Sequence, residues 1–228
     1  MHANAALPTF DGGRLRLLPE RMLVKTGPVD FADWNYHGVL GYIQRRRFHL
    51  VLDALKGRRV ERLLELGYGS GVFQPELARH CGELHGLDAH DQNRAVADVL
   101  FRVGVASQLI SASADPMPYP SEYFDCVVAV SVLEFIDELD RACGEVARVL
   151  KPEGVLIVVA PGQSPILDLG LKLLTGQSAK QDFGDRRRKE AAALERHFET
   201  VQRKTFPAIP LPGLCIYTLR VLRKRRVR

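Results

Sequence analysis

The sequence predicts an open, doubly wound α/β sheet, and three observations carry that expectation. Strand-like apolar runs alternate with helix-length segments between residues 60 and 161. Two of the runs, FDCVVAVSVL (124–133) and GVLIVVAP (154–161), are apolar almost throughout, as strands covered on both faces are. The stretch LLELGYGSGVF (63–73) sets Gly67, Gly69 and Gly71 between the first strand and the next helix, where such a sheet binds its ligand.

Each element follows in order. The first thirty or so residues mix proline, glycine and charge with weak periodicity and read as an arm. Val39, Leu40, Ile43, Phe48, Val51, Leu52 and Leu55 then recur at helical spacing, predicting a helix over 36–55 closed by Gly57. VERLLEL (60–66) predicts a strand, GVFQPELARHC (71–81) a helix with Pro75 in its first turn, and ELHGLDA (83–89) a strand. A helix over 92–104 ending on Gly104 and a short strand over 107–111 come next. Between the two apolar strands, DELDRACGEVARVL (137–150) has the pattern of a helix. After Pro161 the period is lost through 162–183, and a charged helix follows at 185–197. ETVQRKTFPA (199–208) and CIYTLRVLRK (215–224) predict two strands joined by IPLPG, a closing antiparallel hairpin. The expected fold is thus a seven-stranded sheet with helices on both faces and a C-terminal hairpin.

With 228 residues, 46% hydrophobic and 26% charged, the chain suits one soluble globular domain. The net charge of +5 is uneven: six of the last nine residues are Arg or Lys, and Arg45, Arg46 and Arg47 form a second cluster. A basic end can touch anionic lipid or nucleic acid, and a solvated chain end is the alternative. Cys81, Cys126, Cys143 and Cys215 are far apart, with no CxxC and no paired histidines. That pattern argues against a zinc site or disulfide frame and for a reducing, cytoplasmic setting. No charged head with an apolar stretch opens the sequence, and no apolar run reaches the roughly 18–20 residues of a bilayer span.

The glycine turn narrows the ligand. A phosphate loop would end in GK[ST], but Val72 and Phe73 follow Gly71. A dinucleotide fingerprint wants a small residue at 72, where Val72 stands, and no tyrosine has a lysine four residues on. ELGYGSG instead resembles the E/D-x-G-x-G-x-G loop of class I S-adenosylmethionine-dependent methyltransferases. LHGLDAH (84–90) resembles that family's second strand, DPMPYPSEYFDCVVAVSVLEFID (115–137) its LPFPDxSFDxVxxxxVLxHIxD stretch, and RVLKPEGVLIVVAP (148–161) its RxLKPGG signature. Four motifs in register from about Arg62 to Pro161 make the resemblance specific to the small-molecule, "type 11" branch, whose fold is Rossmann-like.

The resemblance implies S-adenosyl-L-methionine as cofactor and assigns roles by position. Gly67, Gly69 and Gly71, with Tyr68 between them, would pass under the donor's methionine and ribose portions. Glu65 would orient the loop and the donor's amino group, a carboxylate facing an ammonium; closing the strand end is the alternative. Asp88, followed by Ala89, would accept both ribose hydroxyls, or else form a turn. The family's Asp-Ala pair aligns with Ser113 and Ala114, a departure that weakens the adenine contact, and Asp115 is a substitute. Ser131 would face the methionine portion, or serve as a helix-entry serine.

The acceptor is less constrained. The family branch acting on exocyclic amines carries [DN]PP[YF] where this chain has SVLEF, and no RNA-binding module precedes the core. The resemblance therefore implies a small-molecule acceptor and no nucleic acid. Residues 1–57 are expected to form an arm and helix serving as an acceptor lid, and 58–228 the donor-binding domain with an insert at about 162–183. Trp34, Tyr36 and Tyr42 would wall a pocket or pack the first helix onto the sheet. The insert, the 206–217 loop and the basic end together suggest peripheral membrane contact and a lipid-linked acceptor. Glu134 and His37 are candidate bases, needed only for a hydroxyl or protonated amine acceptor.

Overall fold

The computed structural model describes residues 15–28, 30–162, 182–208 and 215–225, apart from the side chains of 182–188. Seven strands form one sheet in the order β3-β2-β1-β4-β5-β7-β6. They are β1 (Arg62–Leu66), β2 (Glu83–Asp88), β3 (Gln108–Ser111), β4 (Phe124–Val130), β5 (Leu150–Pro161), β6 (Phe198–Phe206) and β7 (Tyr217–Lys224). The first five are parallel, whereas β7 runs antiparallel to both β5 and β6. Strand order reverses between β1 and β4, which fixes the C-terminal ends of those two strands as the site edge.

Successive side chains of a strand point to opposite faces, and the core divides accordingly. Leu63, Cys126, Val128, Ile157 and Leu219 face one layer, made by α1 (Gly38–Leu55), α2 (Gln74–Leu77) and α3 (Asn93–Arg102). Leu64, Val127, Ala129, Leu156 and Leu222 face the other, made by α4 (Leu139–Val149) and α5 (Asp182–His197). The central strands are therefore apolar on both faces because both faces are covered. The predicted sheet, its hairpin and its two helix layers all form.

Three local differences have physical causes. The helix expected over 71–81 holds α geometry only at Gln74–Leu77. Beyond it Arg79 and His80 donate backwards by three residues, to Glu76 and Leu77, the tightening common at helix ends. Strand β5 begins four residues early, at Leu150, which pairs with Phe124 before a register shift delivers Val155 opposite Cys126. The N-terminal segment is no loose arm over its described part. Leu17 and Leu18 are buried, the Leu18 N–H donates to Val72 O at 3.0 Å, and the Arg16 N–H donates to Glu76 Oε2 at 2.6 Å.

The basic end is also structured as far as Arg225. Arg220, Arg223 and Lys224 belong to β7; Lys224 Nζ donates to Leu150 O at 2.8 Å and Arg225 Nε to Phe198 O at 3.1 Å. Arg226 and Arg228, most of the 162–183 insert and the IPLPG loop lie outside the described residues. Among the described residues no helix is long and apolar enough to cross a membrane.

Candidate functional site

The turn after β1 is built on left-handed backbone. Gly67, Gly69 and Gly71 have φ of +75°, +50° and +72°, values that L side chains adopt only at a cost. The three differ in what lies beside them. A Cβ at Gly67 would come 2.3 Å from Val132 Cγ2, and one at Gly71 would come 2.8 Å from Val96 Cγ1. At Gly69 no described residue comes closer than Thr26 Oγ1 at 4.0 Å. Two glycines thus answer to packing, while the middle one turns its bare side to open space.

Asp88, the last residue of β2, holds that middle glycine. Its Oδ2 accepts the Gly69 N–H at 2.8 Å, and the Gly67 N–H donates to Leu87 O at 2.8 Å. His90 Nε2 lies 3.0 Å from Gly69 O and 3.9 Å from Asp88 Oδ2. Among the described residues Oδ1 receives only a long 3.4 Å bond, from the His90 N–H, so acceptor capacity remains on the carboxylate. Ala89 beside it is exposed. The Tyr68 ring is buried against Gly86 and edge-on to His90 at 4.9 Å, leaving its backbone on the turn.

Glu65 stands one strand residue below the turn and is only 4% exposed. Burial pushes its carboxyl up to about 8; the Gln74 hydrogen bond and Arg47 oppose the rise, and Asp88 adds to it. Gln74 Nε2 donates to Glu65 Oε2 at 2.5 Å while Gln74 Oε1 accepts from Ser107 Oγ at 2.6 Å. Glu65 is therefore a buried acid clamped in place with an amide rather than a cation as its hydrogen-bond partner. A ligand ammonium would restore its charge.

The remaining expected residues are more scattered. Ser131 follows β4 at φ +51°, and its N–H donates to Val159 O at 2.8 Å. A left-handed non-glycine residue at the site edge is costly and common at ligand contacts. Ser113 is exposed; its Oγ accepts the Asp115 N–H at 3.1 Å, while Arg141 Nε holds Asp115 Oδ2 at 2.7 Å. Ala114 packs against the α4 face of the core. Glu65, the glycines, Asp88 and Ser131 share the C-terminal edge of the sheet, and 113–115 form the rim beyond β3. His37 is an exposed side chain 3.7 Å from Glu20, and Glu134 lies on the 3-10 turn Leu133–Phe135 after β4.

Two groups at this edge, Thr26 and Arg47, have no site role in the sequence reading, and Tyr36 takes a part other than a pocket wall. Thr26 stands over Gly69, and its N–H and Oγ1 both bond to Asp30 Oδ2, at 3.1 and 2.9 Å. Tyr36 OH donates to Leu18 O, pinning the segment that covers the turn. Arg47 reaches in from α1. Its Nε is sealed from solvent with no acceptor among the described residues, and burial pulls its guanidinium down against the pull of Tyr217, Glu134, Glu65 and Asp30. The signal was present: Gln44, Arg47, Phe48 and Val51 fall on one helical face, with Phe48 and Val51 buried and Gln44 accepting from Tyr217 OH at 3.3 Å. A separate cavity of about 340 Å³ opens beside the end of β5, lined by Ala160, Gly162, Glu190, Arg203, Thr218 and Arg220.

Residues 64–158 match the family model described as "Methyltransferase domain". The ubiquinone/menaquinone biosynthesis C-methyltransferase UbiE of Vibrio cholerae is 31% identical over 134 residues, covering 56% of this chain and 51% of that protein. Its counterpart in Photorhabdus laumondii is 31% identical over 116 residues, covering 48% and 46%. The chain thus spans about half the length of the curated relatives it matches. Among solved structures, a Pyrococcus horikoshii OT3 protein superposes with a TM-score of 0.64 at 18% identity, covering 83% of this chain and 93% of that one. The N-methyltransferase NodS of Bradyrhizobium japonicum WM9, in complex with S-adenosyl-L-homocysteine, gives 0.62 at 18% identity, covering 87% and 94%. Both structural likenesses speak to the fold. Taken with the four motifs and the sheet order, the match over residues 64–158 supports a class I S-adenosylmethionine-dependent methyltransferase domain of type 11.

Proposed function

We propose that this protein transfers a methyl group from S-adenosyl-L-methionine to a small, apolar acceptor. The observation that carries the donor is the pairing of Asp88 with the left-handed turn at Gly69, whose bare side faces open space. The groups there suit the donor: free acceptor capacity on Asp88 for a ribose diol, and a buried Glu65 short of a cation for an ammonium. When bound, the donor supplies an electrophilic methyl on a sulfonium. The chain's own part is then to hold, orient and exclude water. Gly67, Gly69 and Gly71 let the backbone approach, Asp88 fixes the turn, and the Leu18 and Tyr36 bonds close the N-terminal segment over it. Ser131 borders the methionine portion, and Ser113, Ala114 and Asp115 form the adenine rim.

The acceptor is read from the lip of the site. Phe31, Val39 and Tyr42 of the N-terminal segment and α1, and Phe135 after β4, are exposed large apolar side chains on the elements bordering the edge. Residues 1–57 would thereby act as the acceptor lid, and 58–228 as the donor domain. The matched relatives are named as methyltransferases of quinone biosynthesis, which favours a ring acceptor carrying an apolar chain, presented at a membrane surface. The test is transfer of label from methyl-tritiated donor into lipid-soluble extract, with and without vesicles bearing a quinol precursor. Label appearing in the lipid-soluble fraction supports the reading; label only in water-soluble products overturns the apolar acceptor.

A further inference from the structure

We propose that the cavity beside the end of β5 is a second ligand site, taking a small organic oxyanion, a carboxylate or phosphate on an apolar body. It lies between α5 and the strands β5, β7 and β6, on the sheet face that Leu156, Leu222 and Phe198 make apolar further in. Over the cavity the residues change kind. Arg220 on β7 and Arg203 on β6 are direct cross-strand partners, and Thr218 and Thr205 are the next facing pair. By the alternation of the strands these positions share the face of Leu222. Helix α5 changes in the same place: the face that buries Ala193 and Leu194 brings Glu190, only 5% exposed, to the cavity wall.

Charged side chains on a helix-covered face call for a partner or a function. On the edge strand β6 a charge also deters pairing with another chain, so Arg203 alone would carry little. Arg220 differs, because β7 is held between β5 and β6. Like charges directly opposite each other repel. The ion pairs of this region go elsewhere, Arg196 and His197 to Asp140 and Lys224 to Glu122. Among the described residues none reaches Arg203 or Arg220. The carboxylate at the wall, Glu190, has interactions of its own. An oxyanion between the two strands would meet both guanidinium forks. The remaining lining is short and apolar, Val158 and Ala160 from β5 and Ala191 from α5. It leaves about 340 Å³, within the roughly 300–1,000 Å³ of small-molecule pockets. No lining residue belongs to the glycine turn, so the inference stands without the donor reading.

Ligands that differ in one group provide the test. The full chain is titrated calorimetrically with benzoate, phenyl phosphate, inorganic phosphate and neutral benzamide. Wild type is expected to bind benzoate or phenyl phosphate with a Kd of about 1 mM or tighter. That affinity should exceed the one for benzamide at least about 10-fold, the size of a charged hydrogen bond. Inorganic phosphate binding as tightly as both organic anions would overturn the apolar body. Arg220→Gln is expected to weaken the anions about 10- to 100-fold. Arg223→Gln, the same charge change on β7 outside the cavity lining, should match wild type. Equal losses in the two variants would reduce the effect to overall charge and overturn the site. A wild type that binds neither organic anion at about 10 mM would overturn it too, even if Arg220→Gln fails to fold. Saturating S-adenosyl-L-homocysteine should leave the anion affinity unchanged; competition between them would put the anion in the donor site and overturn the cavity assignment.

Discussion

The Gly69 N–H donates to Asp88 Oδ2 at 2.8 Å, joining the end of β2 to the apex of the turn that follows β1. One carboxylate therefore shapes the turn while keeping acceptor capacity toward the open side. Asp88→Ala removes both, and S-adenosyl-L-homocysteine should bind about 10- to 100-fold more weakly. Asp88→Asn keeps a neutral acceptor for the Gly69 N–H, so it should restore most of the thermal stability but less of the affinity. Calorimetric titration and thermal unfolding of the two variants side by side separate these effects.

Gly67 and Gly69 should respond to alanine in opposite ways. Both pay the left-handed backbone cost of about 1–2 kcal/mol, but Gly67→Ala also drives a methyl to 2.3 Å from Val132. It should unfold at markedly lower urea concentration, and Val132→Ala should recover part of the loss. Gly69→Ala meets only Thr26 Oγ1 at 4.0 Å, so its stability loss should stay near the backbone cost while donor affinity falls. Similar stability losses in the two variants would mean that the space beside Gly69 is not what distinguishes it.

Glu65 gives the fold a pH dependence of defined sign. Its carboxyl sits at about 8 in the fold against an ordinary 4.5, because burial outweighs the Gln74 bond and the nearby Arg47 charge, with Asp88 adding to the rise. The folded chain thus holds a proton that the unfolded chain releases. Stability from this group is full below about 4.5 and falls as pH rises through about 8. Glu65→Gln should flatten the urea midpoint between pH 5 and pH 9, by on the order of a few kcal/mol in the difference. Donor binding near pH 7 should also release close to one proton, measurable as a buffer-dependent heat. Parallel pH profiles for wild type and Glu65→Gln would contradict the assignment.

Arg148 knots the segment that leads into β4. Its Nε and Nη2 grip Glu145 at 2.7 and 2.8 Å, and its Nη1 and Nη2 donate to Tyr119 O and Met117 O at 2.8 and 3.1 Å. Glu145 in turn accepts the Met117 N–H at 2.8 Å. Arg148→Lys keeps the charge but loses the planar fork, and should cost about 1–3 kcal/mol of unfolding free energy. Full stability in the lysine variant would show that charge alone is enough.

The elements that were legible in the sequence are those where one physical rule dominates. The apolar continuity of 124–130 and 154–161 follows from burial on both faces, and the glycine spacing follows from the left-handed turn. Where a second partner decides the outcome, the sequence was silent. The helix after the turn tightens early, Arg79 and His80 donating three residues back, and the side chains of Gln74 and Glu76 are held by Glu65 and by the Arg16 N–H, contacts made across 9 and 60 residues. Ser131 at φ +51° carries no signal in residue type. Arg47 stands in a run of three arginines whose charge masks its helical phase, although that phase with Phe48 and Val51 points to the core. The basic run at the C-terminus reads both as a charged end and, through Lys224, as part of the 215–224 strand, because the alternation in β7, Leu219 and Val221 inward with Arg220 partly exposed, is short and ends in charge.

The most direct measurement is a calorimetric titration of the full chain with S-adenosyl-L-homocysteine, with NAD as the control nucleotide. One-site saturable binding in the micromolar range, weakened by Asp88→Ala and absent for NAD, is the expected result. No binding at millimolar concentration, or binding of NAD instead, would contradict the assignment of the glycine turn to a methyl donor.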